Sequence, residues 1–460
     1  MSSNSITARL AAQASLLDLT NVPGEAVTVA KQCCLDWLGV TLAARAEPLA
    51  EMLVATAAED GGNADCTLVG RGSRASLAQA VLINGAMGHA LDYDDVIVPM
   101  GHPTVPVAPV VFAMGERENM TGLSVLTAFI AGVETECRIA RLLGRSHYER
   151  GWHSTATFGT FGAAAATGRM LALNDGLMAQ AFGIAGTQAA GLKSVFGTMC
   201  KPLHAGKAAA NGLLAARLAA RGFTSNPAIL EAEQGFGETQ SSGIDIQAAL
   251  ENPSGGFYVR HTLFKYHAAC YLTHSAINAA LRLSSEHEIE PAAIESVAVG
   301  VDPGHLKVCA IPEPETGLEC KFSLRMTVAM ALAGENTADE NLYSDATARR
   351  QDLIDLRRKI AIVPRSAPSS TLSDVSIRLT GGKEITATAD VAVAAADVVG
   401  QWDLLQTKFR VLADPIIGRD RSSEIIARLR NLENEPSVRP LMMLLGYPQA
   451  ATGRAERSPP

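Results

Sequence analysis

Aromatic residues are scarce in this chain of 460 residues: 12 Phe, 7 Tyr and 3 Trp make up 5% of it. A pocket walled by stacked rings is therefore disfavoured, and the core must be built from Ala, Leu, Val and Gly, which suits closely packed helices. Positive charge is not in excess either. Asp and Glu number 47 against 39 Lys and Arg, a net charge of −8, and no basic block stands out. That excludes an electrostatic footprint for nucleic acid. The eight cysteines include no CxxC pair, and Cys33 and Cys34 are adjacent. With no zinc or disulfide framework in view, reduced thiols and a cytoplasmic location are expected. The opening MSSNSITARLAAQASLL has neither the basic start nor the unbroken apolar stretch of a secretory signal. Its serines, Arg9 and lack of acid before Asp18 leave an organellar transit segment as the alternative. The charge-free runs Thr155–Gly168 and Leu177–Leu192 are shorter than the ~18 residues of a membrane span and read as core helices.

What is present is a globular chain. Apolar residues make up 47%, too many for disorder. The length allows roughly three quarters of the unfolded surface to be buried and favours two domains of ~150 residues or more. Apolar spacings of three and four predict helices over Val27–Leu42, Ser76–Leu91, Val105–Glu118, Gly122–Leu143, Thr155–Leu173, Leu177–Gly191 and Pro202–Arg221. After about Lys265 the character changes. Helices at Tyr271–Ser285 and Phe322–Ala333 alternate with strand-like runs Ile294–Val301, Ile360–Val363, Val375–Leu379 and Ile385–Val393, with Gly381-Gly382 as a hairpin turn. Helices return at Asp403–Leu412, Ser422–Asn431 and Val438–Leu445. The expectation is a mainly α protein. Residues 1–268 and 403–450 would form a helical domain from both chain ends, 269–402 an inserted α+β domain, and 451–460 a frayed tail.

Three basic side chains precede expected helix starts. They are His102 in GHPT, His153 in GWHS and Lys201 in KP. A residue before proline is pushed out of the α region, so His102 and Lys201 should lie just outside their helices. Helix starts present free N–H groups and partial positive charge. Three of them with basic side chains would suit a small polycarboxylate, and ordinary capped helices are the plain alternative. In a chain of charge −8 such attraction must be local. Asp92-Tyr93-Asp94-Asp95 closes the helix from Ser76, and His89, three residues before Asp92, shares its face. An acid beside a histidine can fix its tautomer and raise its basicity. A solvated acidic loop is the alternative, and the DxDD match to terpenoid cyclases conflicts with the shortage of aromatics. Lys265-Tyr266-His267 through His274 stands at the expected domain junction, with His267 and His274 seven apart on one helical face. No spacing of metal ligands, no P-loop and no GxSxG is present. Gly70-x-Gly72 lacks a flanking βαβ unit.

Taken together, NGAMGHALDYDD, GHPTVPVAPVVFA, GWHSTATFGTFGAAAATG, GLKSVFGTMCKPLHAGKAAANG and KYHAACYLTHSAINAAL resemble the MmgE/PrpD family of 2-methylcitrate dehydratases, cis-aconitate decarboxylases and iminodisuccinate epimerases, from about residue 5 to 445. The resemblance implies a helical domain with an α+β lid, usually in a homodimer. It also implies a small di- or tricarboxylate substrate and no cofactor. It assigns catalysis to Asp92, His102, His153, Lys201 and His274, with Tyr148 as the acid–base residue of an epimerase-like member. Lys201, His153, Lys265, His267 and Met326 fall where substrate would bind. Met326 stands where similar decarboxylases carry a lid tyrosine, which removes a hydroxyl and turns the expectation toward dehydration first and epimerisation second. A catalytically silent scaffold remains the reading outside enzymology.

Overall fold

The computed structural model describes residues 5–366 and 368–446, so the expected tail 451–460 lies outside the described residues. The fold is mainly α, as the sequence indicates, and it divides into two compact units. Among the described residues, one comprises 5–262 and 398–446, the other 263–397.

The first unit opens with α1 (Ile6–Leu16), α2 (Gly24–Ala43) and α3 (Pro48–Asp60), followed by a short ribbon of β1 (Cys66–Thr67) and β2 (Arg74–Ala75). Next come α4 (Leu77–Ala90), α5 (Thr104–Arg117), α6 (Gly122–Glu149), α7 (Ser154–Met170), α8 (Asp175–Gly186) and α9 (Cys200–Ala219), then the short α10 (Phe236–Gln240) and α11 (Ile246–Leu250). The ends follow local chemistry. Ser76 and Gln79 form a capping box at α4, and Thr121 and Asn174 cap α6 and α8 with their side chains. Helix α6 continues past the expected stop at Leu143 because Gly144 takes φ +61 and the chain kinks into a further turn. Every residue of α7 but Arg169 is buried. Such a helix needs neighbours on all sides, and small residues let them in. A Cβ on Gly206 of α9 would lie 2.2 Å from the Leu82 carbonyl of α4, and one on Gly212 would lie 2.5 Å from Ala163 Cβ of α7. These contacts set α9 against both α4 and α7, the helices whose ends carry the candidate site.

The second unit carries α12 (His274–His287), β3 (Ile294–Val301), α13 (Gly317–Lys321), α14 (Leu324–Leu332), α15 (Asp345–Ala348), α16 (Gln351–Arg358), β4 (Ile360–Pro364), β5 (Ser373–Leu379) and β6 (Glu384–Ala389). The sheet order is β4-β3-β5-β6, parallel between β3 and β4 and antiparallel elsewhere. Gly381 and Gly382, at φ +120 and +83, turn β5 into β6. Ala276, Ile277, Ala280 and Leu283 of α12 join Val297, Val299, Val375 and Ile377 of the sheet in one core. The chain then returns to the first unit through α17 (Val398–Ile417), α18 (Arg419–Arg430) and α19 (Arg439–Leu445). Among the described residues no helix is long and apolar enough to cross a membrane, and no disulfide links any of the eight cysteines.

Candidate functional site

The turn after α4 organises the first unit's cluster. Asp92 adopts φ +51, a left-handed conformation that Asp tolerates better than most residues. Side chains then alternate. Asp92 and Asp94 face the basic residues, and Tyr93 and Asp95 are anchored in the core. Asp94 is 1% exposed and lies 2.9 Å from Nδ1 of His89 and 2.9 Å from Nδ1 of His102. Burial acts to raise Asp94, but the two imidazoles outweigh it and hold the carboxyl well below the usual carboxylate range. An ionised carboxylate only accepts hydrogen bonds, so His89, which is hydrogen-bonded to Asp94, carries hydrogen on Nδ1, and the 2.9 Å contact favours the same arrangement at His102. His102 therefore presents Nε2 outward, 3.7 Å from Asp92 Oδ1. Lys201 Nζ donates to the same Asp92 oxygen at 2.6 Å. The carboxylate beside Nδ1 of both rings is thus Asp94, whereas the spacing had paired His89 with Asp92. A three-residue spacing measures helical faces, and the helix has ended by Leu91.

The three basic segments do come together. The backbone N–H of His102 donates to Thr155 Oγ1 of α7 at 3.1 Å. The His153 ring stacks on that of His89 with centroids 5.9 Å apart and meets the Phe196 ring edge-on at 4.9 Å. Nδ1 of His153 and Nδ1 of His204 are 3.0 Å apart, so the pair shares one hydrogen and the tautomer of each dictates that of the other. Burial, reinforced by His89 and Lys201, holds His153 well below its ordinary value. Burial likewise pushes His89 down to about 4 against the pull of Asp94. Both rings are neutral at pH 7. His153 caps α7 and His102 lies two residues before α5, as expected. Lys201 instead belongs to the first turn of α9, where proline is tolerated because its missing N–H has no helical partner.

Two expectations about charge are corrected. The helix-start N–H groups are largely engaged. Thr104 N and Oγ1 donate to Asp95, Cys200 N donates to Thr198 Oγ1, and Lys201 N donates to the Thr198 carbonyl. The cluster is also not strongly cationic. Asp92 and Asp94 are two carboxylates against the single ammonium of Lys201, with His102 beside them as the base. Ligand atoms of His89, Asp92, Asp94 and His102 all lie within 4.8 Å of one another, close enough for a metal ion, although their sequence spacing showed none. The donors are engaged with one another, and the Lys201 ammonium supplies the local positive charge on Asp92.

In the second unit His267 bonds Thr337 Oγ1 through Nδ1 at 2.7 Å and Asn278 Oδ1 through Nε2 at 2.8 Å. His274 lies against it, ring centroids 5.0 Å apart, with Nε2 3.1 Å from the Ala269 carbonyl. They do not share a helical face as expected. α12 begins at His274, and His267 precedes it in a turn. Lys265 and Met326 are buried in this unit. Tyr148 stands near the end of α6, 45% exposed, with Lys193 Nζ 3.5 Å from its ring centre. Asp94 and His204 were not among the expected site residues. Asp94 was legible only as part of the acidic run, and His204 only as the fourth residue of KPLH.

A mainly α, two-unit protein with acid–imidazole pairs at converging helix starts is a recognisable class. The chain belongs to the MmgE/PrpD family: the family's N-terminal domain matches residues 8–249 and its C-terminal domain residues 267–434. Among curated relatives it is 26% identical over 473 residues to a cis-aconitate decarboxylase of Aspergillus terreus, covering 96% of each chain. It is 27% identical over 391 residues to that of Homo sapiens, covering 80% of this chain and 79% of the relative. The Mus musculus enzyme is 25% identical over 466 residues, covering 96% of this chain and 94% of the relative.

Proposed function

We propose that this chain is a cofactor-independent lyase acting beside a carboxylate of a small di- or tricarboxylate, in the manner of a 2-methylcitrate dehydratase. The observation that carries this reading is Asp94 lying 2.9 Å from Nδ1 of His102, which leaves Nε2 beside the Asp92–Lys201 pair as the basic nitrogen. Carbon next to a carboxylate is a very weak acid, and the developing enediolate needs a positive group aimed at it. In this mechanism Lys201 passes from Asp92 to the substrate carboxylate. His102 takes the proton and, as imidazolium, returns it to the departing β-hydroxyl, while His153, neutral and sharing a hydrogen with His204, clamps the substrate by hydrogen bonding. His274, Lys265, His267 and Met326 are assigned to substrate on the resemblance. Family membership and the decarboxylase relatives support lyase chemistry.

Epimerisation is the second reading, because two acid–base groups on opposite faces would return the proton with inversion. His274 is the candidate for the second group, and the exposed position of Tyr148 weighs against it. Decarboxylation of cis-aconitate, named for the relatives, stands third because Met326 offers no hydroxyl. We further propose a cytoplasmic homodimer that binds neither nucleic acid nor membrane, its assembly to be checked by sedimentation. Proton NMR in D₂O with 2-methylcitrate, cis-aconitate and iminodisuccinate separates the reactions. A new alkene supports the dehydratase, CO₂ loss the decarboxylase, and deuterium uptake with diastereomer conversion the epimerase. No change in any of the three contradicts the proposal. Dialysis against EDTA should leave the rate unaltered, whereas a loss reversed by a divalent cation would place a metal among His89, Asp92, Asp94 and His102.

A further inference from the structure

Lys408 of α17 is far from the cluster in sequence and almost wholly buried, at 5% exposure. Its ammonium lies 2.6 Å from Asp36 Oδ1 of α2, donates to the Tyr93 carbonyl at 2.9 Å and sits 3.8 Å from the centre of the Tyr93 ring. Asp36 is 3% exposed and Tyr93 fully buried. Tyr93 is the residue between Asp92 and Asp94. One cation thus grips both the backbone and the ring of the turn that aims those two carboxylates. Asp95 is held independently, accepting from Thr104 Oγ1 at 2.5 Å. Burying an ion pair gains little stability over an apolar pair of the same shape, because desolvation offsets the attraction. What this pair supplies is a directional grip on a turn whose first residue is left-handed.

From this geometry we infer that Lys408, balanced by Asp36, is a positioning residue that sets Asp92 and Asp94 against Lys201 and His102. The inference rests on the reading of those four groups as the reacting ones. Three variants test it. Asp36→Asn keeps the N–H contact to Tyr93. Asp36→Asn/Lys408→Met removes it together with both charges. Asp36→Asn/Lys408→Gln is neutral but retains an N–H donor. Misplacement by about an ångström costs on the order of 100-fold in rate. The methionine pair should therefore fold yet lose about 10- to 100-fold in kcat, with KM within about threefold and a displaced pH profile. Asp36→Asn and the glutamine pair should stay within about threefold of the parent. A folded methionine pair with parental kcat and pH profile overturns the inference, as does a glutamine pair equally depressed. If the methionine pair does not fold, a folded glutamine pair decides: near-parental kcat supports the inference, and a loss beyond about tenfold contradicts it. Imidazole ¹⁵N spectra give a readout independent of substrate. The His89 and His102 signals should move in the methionine pair, and unchanged signals overturn the inference. A parent protein inert on every substrate would count against the functional reading alone.

Discussion

Asp94 lies 2.9 Å from Nδ1 of two imidazoles at once, and that double contact limits what each ring can do. Both rings reach the same oxygen, Oδ2, and His89 Nδ1 also lies 3.0 Å from Oδ1, so asparagine would set an NH2 group against His89 and remove the negative charge that stabilises an imidazolium at His102. Asp94→Asn should therefore lower kcat by ~10³ with little change in KM, by the logic of acid–histidine pairs. Parental kcat in steady-state assays would show that the tautomer is not set here. A second buried acid behaves differently. Glu134 accepts from Val259 N through Oε1 at 3.0 Å, and its buried Oε2 has no hydrogen-bond partner among the described residues. Burial raises its carboxyl from 4.5 to about 7. An acid raised on folding binds more protons folded than unfolded between these values, so its contribution to stability falls as pH rises from 4.5 to 7. Glu134→Gln removes that slope. Relative to the parent, the variant should gain about 3 kcal/mol between pH 4 and pH 8 in urea unfolding. A difference that stays constant with pH would contradict this.

Among the elements, α4, α7 and α9 carry the geometry. α4 ends at the acidic turn, α7 starts just after His153, and α9 holds Lys201 and His204. Their close approach depends on glycine at the crossings. Gly206→Ala would place a Cβ 2.2 Å from the Leu82 carbonyl, backbone that cannot move aside like a side chain. The variant should lose about 1–3 kcal/mol of stability, and kcat should fall as Lys201 shifts against Asp92. Thermal melts and kinetics check both, and an unchanged melting temperature would contradict the packing account. Most of these helices were legible from apolar spacing and Gly or Ser punctuation, because burial selects residues at that period. Others were not. α1 and α3 were missed, and the parallel pairing of β3 with β4 is a tertiary choice that local pattern does not encode. Within the site, His102, His153 and Lys201 were legible through their Pro and Gly neighbours. The Asp94–His102 contact was not, since it depends on how a turn folds back after the helix has ended.

For the whole molecule, the opening shortage of aromatics now has a structural counterpart in helices packed through Ala and Gly. The net charge of −8 poses a stricter demand than expected, because the first unit's cluster sets two carboxylates, Asp92 and Asp94, against the one ammonium of Lys201. Substrate must compete with Asp92 for Lys201, so binding should weaken with ionic strength while kcat changes less. The central claim is that Lys201 and His102 perform charge stabilisation and proton transfer at a carbon beside a carboxylate. It is tested most directly by single-turnover rates of Lys201→Ala and His102→Ala, followed by NMR in D₂O on the substrate that the parent converts. The account predicts folded variants slowed by about two to four orders of magnitude, with deuterium incorporation lost in His102→Ala. Near-parental turnover in both variants would contradict it.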